Sequence, residues 1–269
     1  MTVRLVATDL DGTIVRSDGT ISARTRDALA AAEAAGLMVV LVTGRPPRWM
    51  AEVAEATGHT GLAVCANGAL LYDLHTETVV DSRLLEPAAL REVVARLRAA
   101  IPGLVFAVEH GMSFAHEPDY RHGWAIGAAD TRVGAIDSIL DRAAAKLLAR
   151  HPTLEPEALL QQAIEVLDGQ ATATHSSSYG LLEISASGVT KASGLAELAG
   201  RHGITAAEVV AFGDMPNDLA MLVWAGRSVA MANAHPQVLA AASERTGSND
   251  DDGVAQVVER LVVAARLKR

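Results

Sequence analysis

The chain has 269 residues, of which 50% are hydrophobic and 20% are charged, and its formal net charge is −9 at pH 7. This length and composition predict a folded protein of one large domain or two and disfavour disorder. The acidity argues against a nucleic-acid or anionic-membrane surface. Three residues each of Phe, Trp and Tyr are too few for a base-stacking platform.

The lack of targeting and membrane-spanning segments and the low cysteine content indicate a cytoplasmic protein. No signal-peptide segment precedes the first apolar run, which begins at Val3, and no apolar run approaches the ~18 residues of a membrane-spanning helix. Cys65 is the single cysteine, so no internal disulfide can form. Because it lies in an apolar run, we expect Cys65 to be a buried structural residue.

The first apolar run predicts a buried strand that ends in two carboxylates, Asp9 and Asp11, followed by Gly12 and Thr13. Ligands bind beyond the carboxyl ends of such strands, and glycine lets the backbone turn tightly there. Carboxylates this close repel unless a cation or proton compensates them, and Mg²⁺ would do so. A simple turn at the strand end is the alternative.

Predicted strands and helices then alternate through residue 68. The order is a helix at residues 22–35, a strand at 39–42, a helix after Pro47 and a strand at 62–66. The two strands end at Thr43-Gly44 and at Asn67-Gly68. This alternation is typical of a parallel sheet with right-handed crossovers.

The pattern changes between residues 70 and 185, where we predict mainly short strands with two longer helices. The predicted strands cover residues 70–73, 78–80, 104–108, 113–115, 171–174 and 181–185, and the predicted helices cover 87–100 and 157–167. The run at residues 146–150 fits a strand or a helix equally well. We interpret residues 83–185 as an inserted α+β domain.

The first pattern resumes after residue 186. Lys191 opens a predicted helix, a strand at residues 208–212 ends at Asp214 and Asp218, and a strand at 228–231 ends at Asn233. Residues 1–82 and 186–269 are therefore expected to form one core domain. In a parallel sheet the polar ends of all these strands lie along one edge, where they can converge.

These strand ends resemble, in order, the four motifs of the haloacid dehalogenase-like (HAD) phosphohydrolase superfamily. Asp9-Leu10-Asp11-Gly12-Thr13 is similar to the nucleophile motif, and Thr43 to the second motif. Lys191 is similar to the third motif, and the segment from Gly213 to Asp218 to the acidic fourth motif. The resemblance covers the whole chain, and no motif departs from the family's pattern.

The resemblance implies a fold class: a Rossmann-like α/β core, with a parallel sheet and helices on both faces, plus an inserted α+β cap domain. The interval between Thr43 and Lys191 is far longer than the core needs, and a cap at that point resembles the C2 type. Its mixture of strands and helices resembles subfamily IIB, the Cof-type branch. Asn67-Gly68-Ala69 also looks like that branch.

The resemblance also implies catalytic roles. Asp9 would be the nucleophile, which forms an aspartyl-phosphate, and Asp11 would be the acid/base that protonates the leaving group and then activates water. Thr43 and the Gly44 amide would bind phosphoryl oxygens together with Lys191. Asn217 would orient the phosphate or Lys191.

The implied cofactor is Mg²⁺. Its ligands would be the Asp9 carboxylate, the Asp11 backbone carbonyl and Asp214, with Asp218 as a further ligand or as the partner of a metal-bound water. An anion that attacks a dianionic ester needs this cation and Lys191 to cancel charge.

Several side chains keep a structural alternative. Lys191 could be a solvated lysine, and Asp218 could occupy only a first helical turn, where carboxylates are favoured. Asn67 and Asn233 could serve loop structure or support the site, and Arg45 could line the entrance or pair with an acidic surface. Cap residues that could contact substrate or have only structural roles are His110, His116, Arg121, His122 and His175.

The leading functional hypothesis is a Mg²⁺-dependent phosphatase of small phosphorylated metabolites, such as sugar phosphates or cofactor phosphates. A hexose phosphomutase of the same branch and a catalytically silent phosphometabolite-binding regulator are the alternatives. We expect a small-molecule phosphate ester as partner, and neither nucleic acid nor membrane. The sequence does not indicate an oligomeric state.

Overall fold

The computed structural model describes residues 2–120, 131–176 and 180–267. The strands are β1 Leu5–Thr8, β2 Met38–Val42, β3 Leu62–Cys65, β4 Leu70–Asp73, β5 Thr78–Ser82, β6 Val105–Glu109, β7 Phe114–His116, β8 Thr131–Val133, β9 Lys146–Arg150, β10 Ala171–Thr174, β11 Leu181–Ala186, β12 Val209–Gly213, β13 Arg227–Ala230 and β14 Glu244–Arg245. The helices are α1 Ala23–Ala34, α2 Met50–Thr57, α3 Pro87–Ala100, α4 Ile136–Ile139, α5 Pro156–Leu167, α6 Lys191–Arg201, α7 Leu219–Trp224, α8 Pro236–Ala241 and α9 Gly253–Arg266.

The larger sheet has the strand order β14-β13-β12-β1-β2-β3-β4-β5. Its strands run parallel from β14 to β3, and β4 and β5 add an antiparallel hairpin at one side. The central strands are buried apolar runs, with Val6, Leu41 and Phe212 almost fully inaccessible. Thr8 lies in register with both Leu41 and Phe212, so the carboxyl ends of β1, β2 and β12 meet at one edge.

The smaller sheet has the order β10-β11-β9-β6-β7-β8 and lies in the insertion between β5 and α6. Its pairs are antiparallel except for β7 with β8. Phe106 and Ile184 from this sheet and Leu90 from α3 belong to a hydrophobic cluster separate from the core-sheet cluster. The structure thus confirms the predicted fold class, a parallel-sheet α/β core with an inserted α+β unit.

The ambiguous run at residues 146–150 is a strand, β9, which pairs with β6 on one side and β11 on the other. Because β9 is central in its sheet, both of its neighbouring strands come from distant segments that periodicity cannot show. Among the described residues, no helix is both long and apolar enough to cross a membrane.

Candidate active site

A buried ion network joins the ends of β1 and β12 to the start of α6. The Lys191 ammonium donates to Asp9 Oδ1 over 2.7 Å and to Asp218 Oδ1 over 2.6 Å. Lys191 is only 1% exposed, so the solvated-lysine alternative is wrong. A cation is unfavourable in the first turn of a helix, and here two carboxylates compensate it.

The polar turn after β12 is folded around the Asp218 carboxylate. Asp218 Oδ2 accepts hydrogen bonds from the backbone N–H groups of Asp214 and Met215, each with a donor–acceptor distance of 3.0 Å. A Cβ on Gly213 would lie 2.5 Å from Asp218 Cγ, so only glycine fits there. Asp218 therefore shapes the turn with one oxygen and holds Lys191 with the other.

Three buried carboxylates form a cluster suited to a divalent cation. Asp9, Asp214 and Asp218 each offer an oxygen, and these oxygens all lie within 4.8 Å of one another. One ammonium, that of Lys191, does not balance three carboxylates. Thr13 Oγ1 donates to Asp214 Oδ1 over 3.1 Å and fixes its orientation. This oxygen-rich, negatively charged donor set fits Mg²⁺, which prefers carboxylate oxygens.

The pKa values in this cluster reflect the burial of neighbouring carboxylates beside one lysine. Burial raises the pKa of Asp9 well above its ordinary value, and although Lys191 opposes the shift, Asp218 and Asp214 add to it. Burial, followed by Asp218, raises the pKa of Asp214 to about 7. Burial lowers the pKa of Lys191, but Asp218 and Asp9 outweigh it and the net shift is upward.

Thr43 and Gly44 lie in the loop after β2, the strand that pairs with β1. Thr43 is fully buried, and its Oγ1 accepts the Arg45 backbone N–H over 3.0 Å. Because this bond uses the oxygen as an acceptor, the Thr43 hydroxyl proton stays available to a ligand. A Cβ on Gly44 would lie 3.1 Å from the Asn67 side-chain oxygen, so the chain passes close to Asn67.

Asn67 and Asn217 meet beside this loop. Asn217 Nδ2 donates to Asn67 Oδ1 over 3.2 Å. Asn67 has φ +56° and ψ +32°, a left-handed conformation that asparagine tolerates. Asn217 Oδ1 is buried without a hydrogen-bond partner among the described residues. A buried polar atom of this kind favours a polar ligand group at the site.

Asp11 lies apart from the buried carboxylates. Its side chain is 59% exposed and accepts a hydrogen bond from Arg45 Nε over 2.9 Å in a two-pronged ion pair. The predicted metal contact of Asp11 involves its backbone carbonyl, so the side-chain position is compatible with that prediction. Arg45 therefore forms an ion pair with an exposed acidic side chain, that of Asp11, in agreement with the second of its two alternatives.

Asn233 supports the loop after β1 rather than the carboxylate cluster. Its Nδ2 donates to the Gly12 carbonyl over 2.8 Å, and its Oδ1 accepts the Asn249 N–H over 3.0 Å. Gly12 itself has φ +77°, and a Cβ there would lie 2.2 Å from Asp214 Oδ2. Glycine at this position lets the first loop pack directly on the acidic turn.

The histidines of the inserted unit that the sequence suggested as possible substrate contacts lie close to groups of the protein itself. The His110 Nδ1 lies 3.0 Å from the Ala143 carbonyl and the His116 Nδ1 lies 2.7 Å from the Glu117 carbonyl. His175 is buried, with its Nε2 3.9 Å from Glu157 Oε1. The predictions for Arg121 and His122 concern a segment outside the described residues.

Sequence reasoning missed two buried ion pairs, one within the inserted unit and one between that unit and the core. Lys146 pairs with Glu183 and donates to the Gly44 carbonyl over 2.7 Å. Arg48 pairs with Glu109. A glutamate inside the apolar run 181–184 was the available signal, because a charge in a buried strand requires a partner.

Comparison with known proteins identifies the class. The chain matches the haloacid dehalogenase-like hydrolases over residues 6–258, and it belongs to that family. A solved structure, that of the HAD subclass IIB sugar phosphatase BT4131, is similar with a TM-score of 0.80 and 22% identity, covering 96% of this chain and 98% of that chain. The predicted resemblance to the HAD superfamily is therefore confirmed, and the likeness to BT4131 shows a shared fold.

Two sequence relatives carry phosphatase names. The pyridoxal phosphate phosphatase YbhA of Escherichia coli (strain K12) is 29% identical over 270 residues, with 96% of this chain and 98% of the relative covered. The 5-amino-6-(5-phospho-D-ribitylamino)uracil phosphatase YcsE of Bacillus subtilis (strain 168) is 29% identical over 264 residues, with 97% of this chain and 96% of the relative covered. The family and these relatives support the assignment of this chain as a phosphoric monoester hydrolase.

Proposed function

We propose that the protein is a Mg²⁺-dependent phosphatase that hydrolyses phosphate monoesters of small metabolites through an aspartyl-phosphate. The observation that carries this proposal is the contact of Lys191 with Asp9, inside a buried carboxylate cluster that also contains Asp214. A lysine beside a nucleophilic carboxylate lowers the repulsion between that carboxylate and an incoming phosphoryl group.

In this proposal Asp9 attacks phosphorus while Lys191 neutralises charge on the transferring group. Bound Mg²⁺, held by Asp9, Asp214, Asp218 and the Asp11 carbonyl, would supply further positive charge at the phosphoryl oxygens. The Thr43 hydroxyl and the Gly44 amide would bind two of these oxygens. Asn217, whose side-chain oxygen lacks a protein partner among the described residues, would orient Lys191 or a hydroxyl of the ligand.

Asp11 would protonate the leaving alkoxide and then take a proton from the water that attacks the aspartyl-phosphate. Its carboxylate is exposed toward solvent and bound by Arg45. The guanidinium would fix the rotamer of Asp11 between these two steps. Substrate entry would then need only a small rearrangement of this ion pair.

The proposed substrates are small sugar phosphates or cofactor phosphates. One relative is named for pyridoxal phosphate and another for a phosphoribitylamino-uracil, and each of these molecules carries a phosphate ester on a small polar scaffold. Both relatives match nearly the full length of this chain, including the inserted unit. A cofactor phosphate is therefore the first class to assay.

We further propose that residues 1–82 and 186–269 form the catalytic core and that residues 83–185 form the cap. The two separate hydrophobic clusters support this division. The proposed compartment is the cytoplasm, which suits a chain whose only cysteine is buried and unpaired.

The proposal is tested by measuring phosphate release from p-nitrophenyl phosphate and a panel of phosphorylated metabolites with Mg²⁺ and with EDTA. We expect turnover that EDTA stops and that Mg²⁺ restores. A pure, metal-loaded protein without turnover on the whole panel would contradict the proposal. Interconversion of hexose phosphates without free phosphate would instead indicate a mutase.

A further inference from the structure

The inserted unit brings a buried ion pair onto the proposed phosphate-binding loop. Lys146 is the first residue of β9, and Glu183 lies in the neighbouring strand β11. Lys146 is 4% exposed and Glu183 is 5% exposed. The Lys146 ammonium contacts Glu183 Oε1, and the Ser176 hydroxyl donates to Glu183 Oε2 over 2.7 Å.

One contact of this pair crosses to the core. The Lys146 ammonium donates to the carbonyl of Gly44 over 2.7 Å. The N–H of the same peptide unit, which belongs to Arg45, donates to Thr43 Oγ1 over 3.0 Å. Both polar atoms of the Gly44–Arg45 peptide are therefore held, the carbonyl by the inserted unit and the N–H by Thr43.

This peptide links the groups on which the proposed reaction depends. Its orientation decides whether the Thr43 oxygen is used as an acceptor, which leaves the hydroxyl proton free to bind a phosphoryl oxygen. The orientation of the peptide also determines where the Arg45 side chain leaves the backbone, and the guanidinium of Arg45 binds Asp11. A tilt of the peptide would disturb the phosphate contact and the acid/base together.

We propose that Lys146 is a positioning residue, held by Glu183, that aligns the Gly44–Arg45 peptide from the cap and so completes the phosphate-binding loop only when the cap contacts the core. The inference rests on the proposed phosphatase function. Fold stability does not explain why this ion pair is present, because a protein whose buried ion pair is replaced by apolar residues is often as stable as the original. A function in positioning explains why a buried charge lies in each of the two strands β9 and β11.

The test is Lys146→Met, which preserves the length of the side chain and removes its charge and donors. We expect the inhibition constant of inorganic phosphate to rise about 10- to 100-fold, since a charged donor to the loop is lost. We expect kcat/KM to fall by a similar factor for p-nitrophenyl phosphate, acetyl phosphate and larger metabolite esters alike. Lys146→Arg should recover most of this loss.

A different pattern would overturn the inference. If Lys146 instead contacted the leaving group, Lys146→Met would impair only the larger esters and leave inhibition by inorganic phosphate unchanged. Unchanged constants for every ligand would also overturn it. In both cases the wild-type enzyme would still hydrolyse esters, whereas failure of the proposed function would appear as a wild-type enzyme without turnover.

Two further variants control for folding and for loss of cap contact. Lys146→Met/Glu183→Leu leaves no unpaired buried charge, and we expect it to melt like wild type yet bind inorganic phosphate as weakly as the single variant. Arg48→Met removes a different buried contact between core and cap, the ion pair of Arg48 with Glu109, in which Arg48 also donates to the Gly111 carbonyl at 3.1 Å. If Arg48→Met weakens phosphate binding as much as Lys146→Met, the effect is a general one of cap contact and the inference fails.

Discussion

At the scale of single residues, the site depends on a charge balance that this chain alone does not complete. Lys191 compensates part of the charge of Asp9 and Asp218, and Asp214 adds a third carboxylate to the same buried cluster. Burial, with the neighbouring carboxylates adding to its effect, raises the pKa values of Asp9 and Asp214. A divalent cation would remove the excess, and in the proposed function the same atoms would hold Mg²⁺ and take part in phosphoryl transfer.

The first prediction concerns the nucleophile. Asp9→Asn keeps the volume of the side chain and removes its charge and nucleophilicity, so we expect kcat to fall by about 10³-fold or more. The fold should be intact, since the variant also relieves carboxylate repulsion, and circular dichroism checks this. Phosphate release by Asp9→Asn at the wild-type rate would remove Asp9 from the mechanism.

The second prediction concerns pH and metal removal. The pKa of Asp214 is about 7 in the folded protein and 3.8 is its ordinary value, so the folded state binds the proton more tightly. This stabilisation is present at low pH and is lost as the pH rises through about 7. The Tm of EDTA-treated protein should therefore fall from pH 5 to pH 8, and Mg²⁺ should raise it most at pH 8.

Asp214→Asn provides the comparison, because it removes the titrating group. Its metal-free Tm should fall less steeply over the same pH range, whereas Asp27→Asn, at a side chain 70% exposed, should keep the wild-type slope. Parallel curves for Asp214→Asn and wild type would show that this carboxyl does not titrate as described.

At the scale of elements, α6 places Lys191 by packing its first turns very closely on the core. A Cβ on Gly194 would lie 2.7 Å from Val64 Cγ1 and 2.9 Å from Gly68 Cα. The Thr190 side chain caps the helix through the Ser193 N–H over 3.1 Å. The lysine position is thus determined by a helix cap and a glycine contact, neither of which touches a ligand.

The third prediction compares two glycines of α6. Gly194→Ala should destabilise the protein by about 1–3 kcal/mol through overpacking and should lower kcat by displacing Lys191. Gly200→Ala has no atom within 4 Å of its added Cβ and should stabilise the protein by about 0.5–1 kcal/mol through helix propensity. Thermal denaturation and phosphate release measure both. Equal Tm shifts in the two variants would contradict the packing argument.

The elements that sequence predicts well are those with local signals. The abrupt polar ends of β1, β2 and β12 mark their positions in the chain, because buried parallel strands read as continuous apolar runs that stop where these polar residues begin. Short runs such as β9 carry no such signal, and its partners come from distant strands. The geometry of the turn around Asp218 also could not be predicted from the sequence, because its hydrogen bonds depend on the folded path of the backbone.

At the scale of the whole molecule, the sequence indicated an insertion but not how it meets the core. The contact of Lys146 with the Gly44 carbonyl joins β9 of the smaller sheet to the loop after β2 of the larger sheet, and no periodicity or motif encodes that pairing. Glu183 gave only the hint that a buried partner exists. The inserted unit thus contributes a charged group directly to the loop that would hold phosphate.

The central claim is that Asp9 receives the phosphoryl group in a site completed by Mg²⁺ and Lys191. The most direct measurement is rapid acid quenching of Mg²⁺-loaded protein during turnover of a phosphate ester, followed by peptide mass spectrometry. The account predicts a phosphorylated Asp9 that is absent after EDTA treatment and absent in Asp9→Asn. Phosphorylation of another residue, or steady phosphate release with no phosphorylated Asp9 at any quench time, would contradict it.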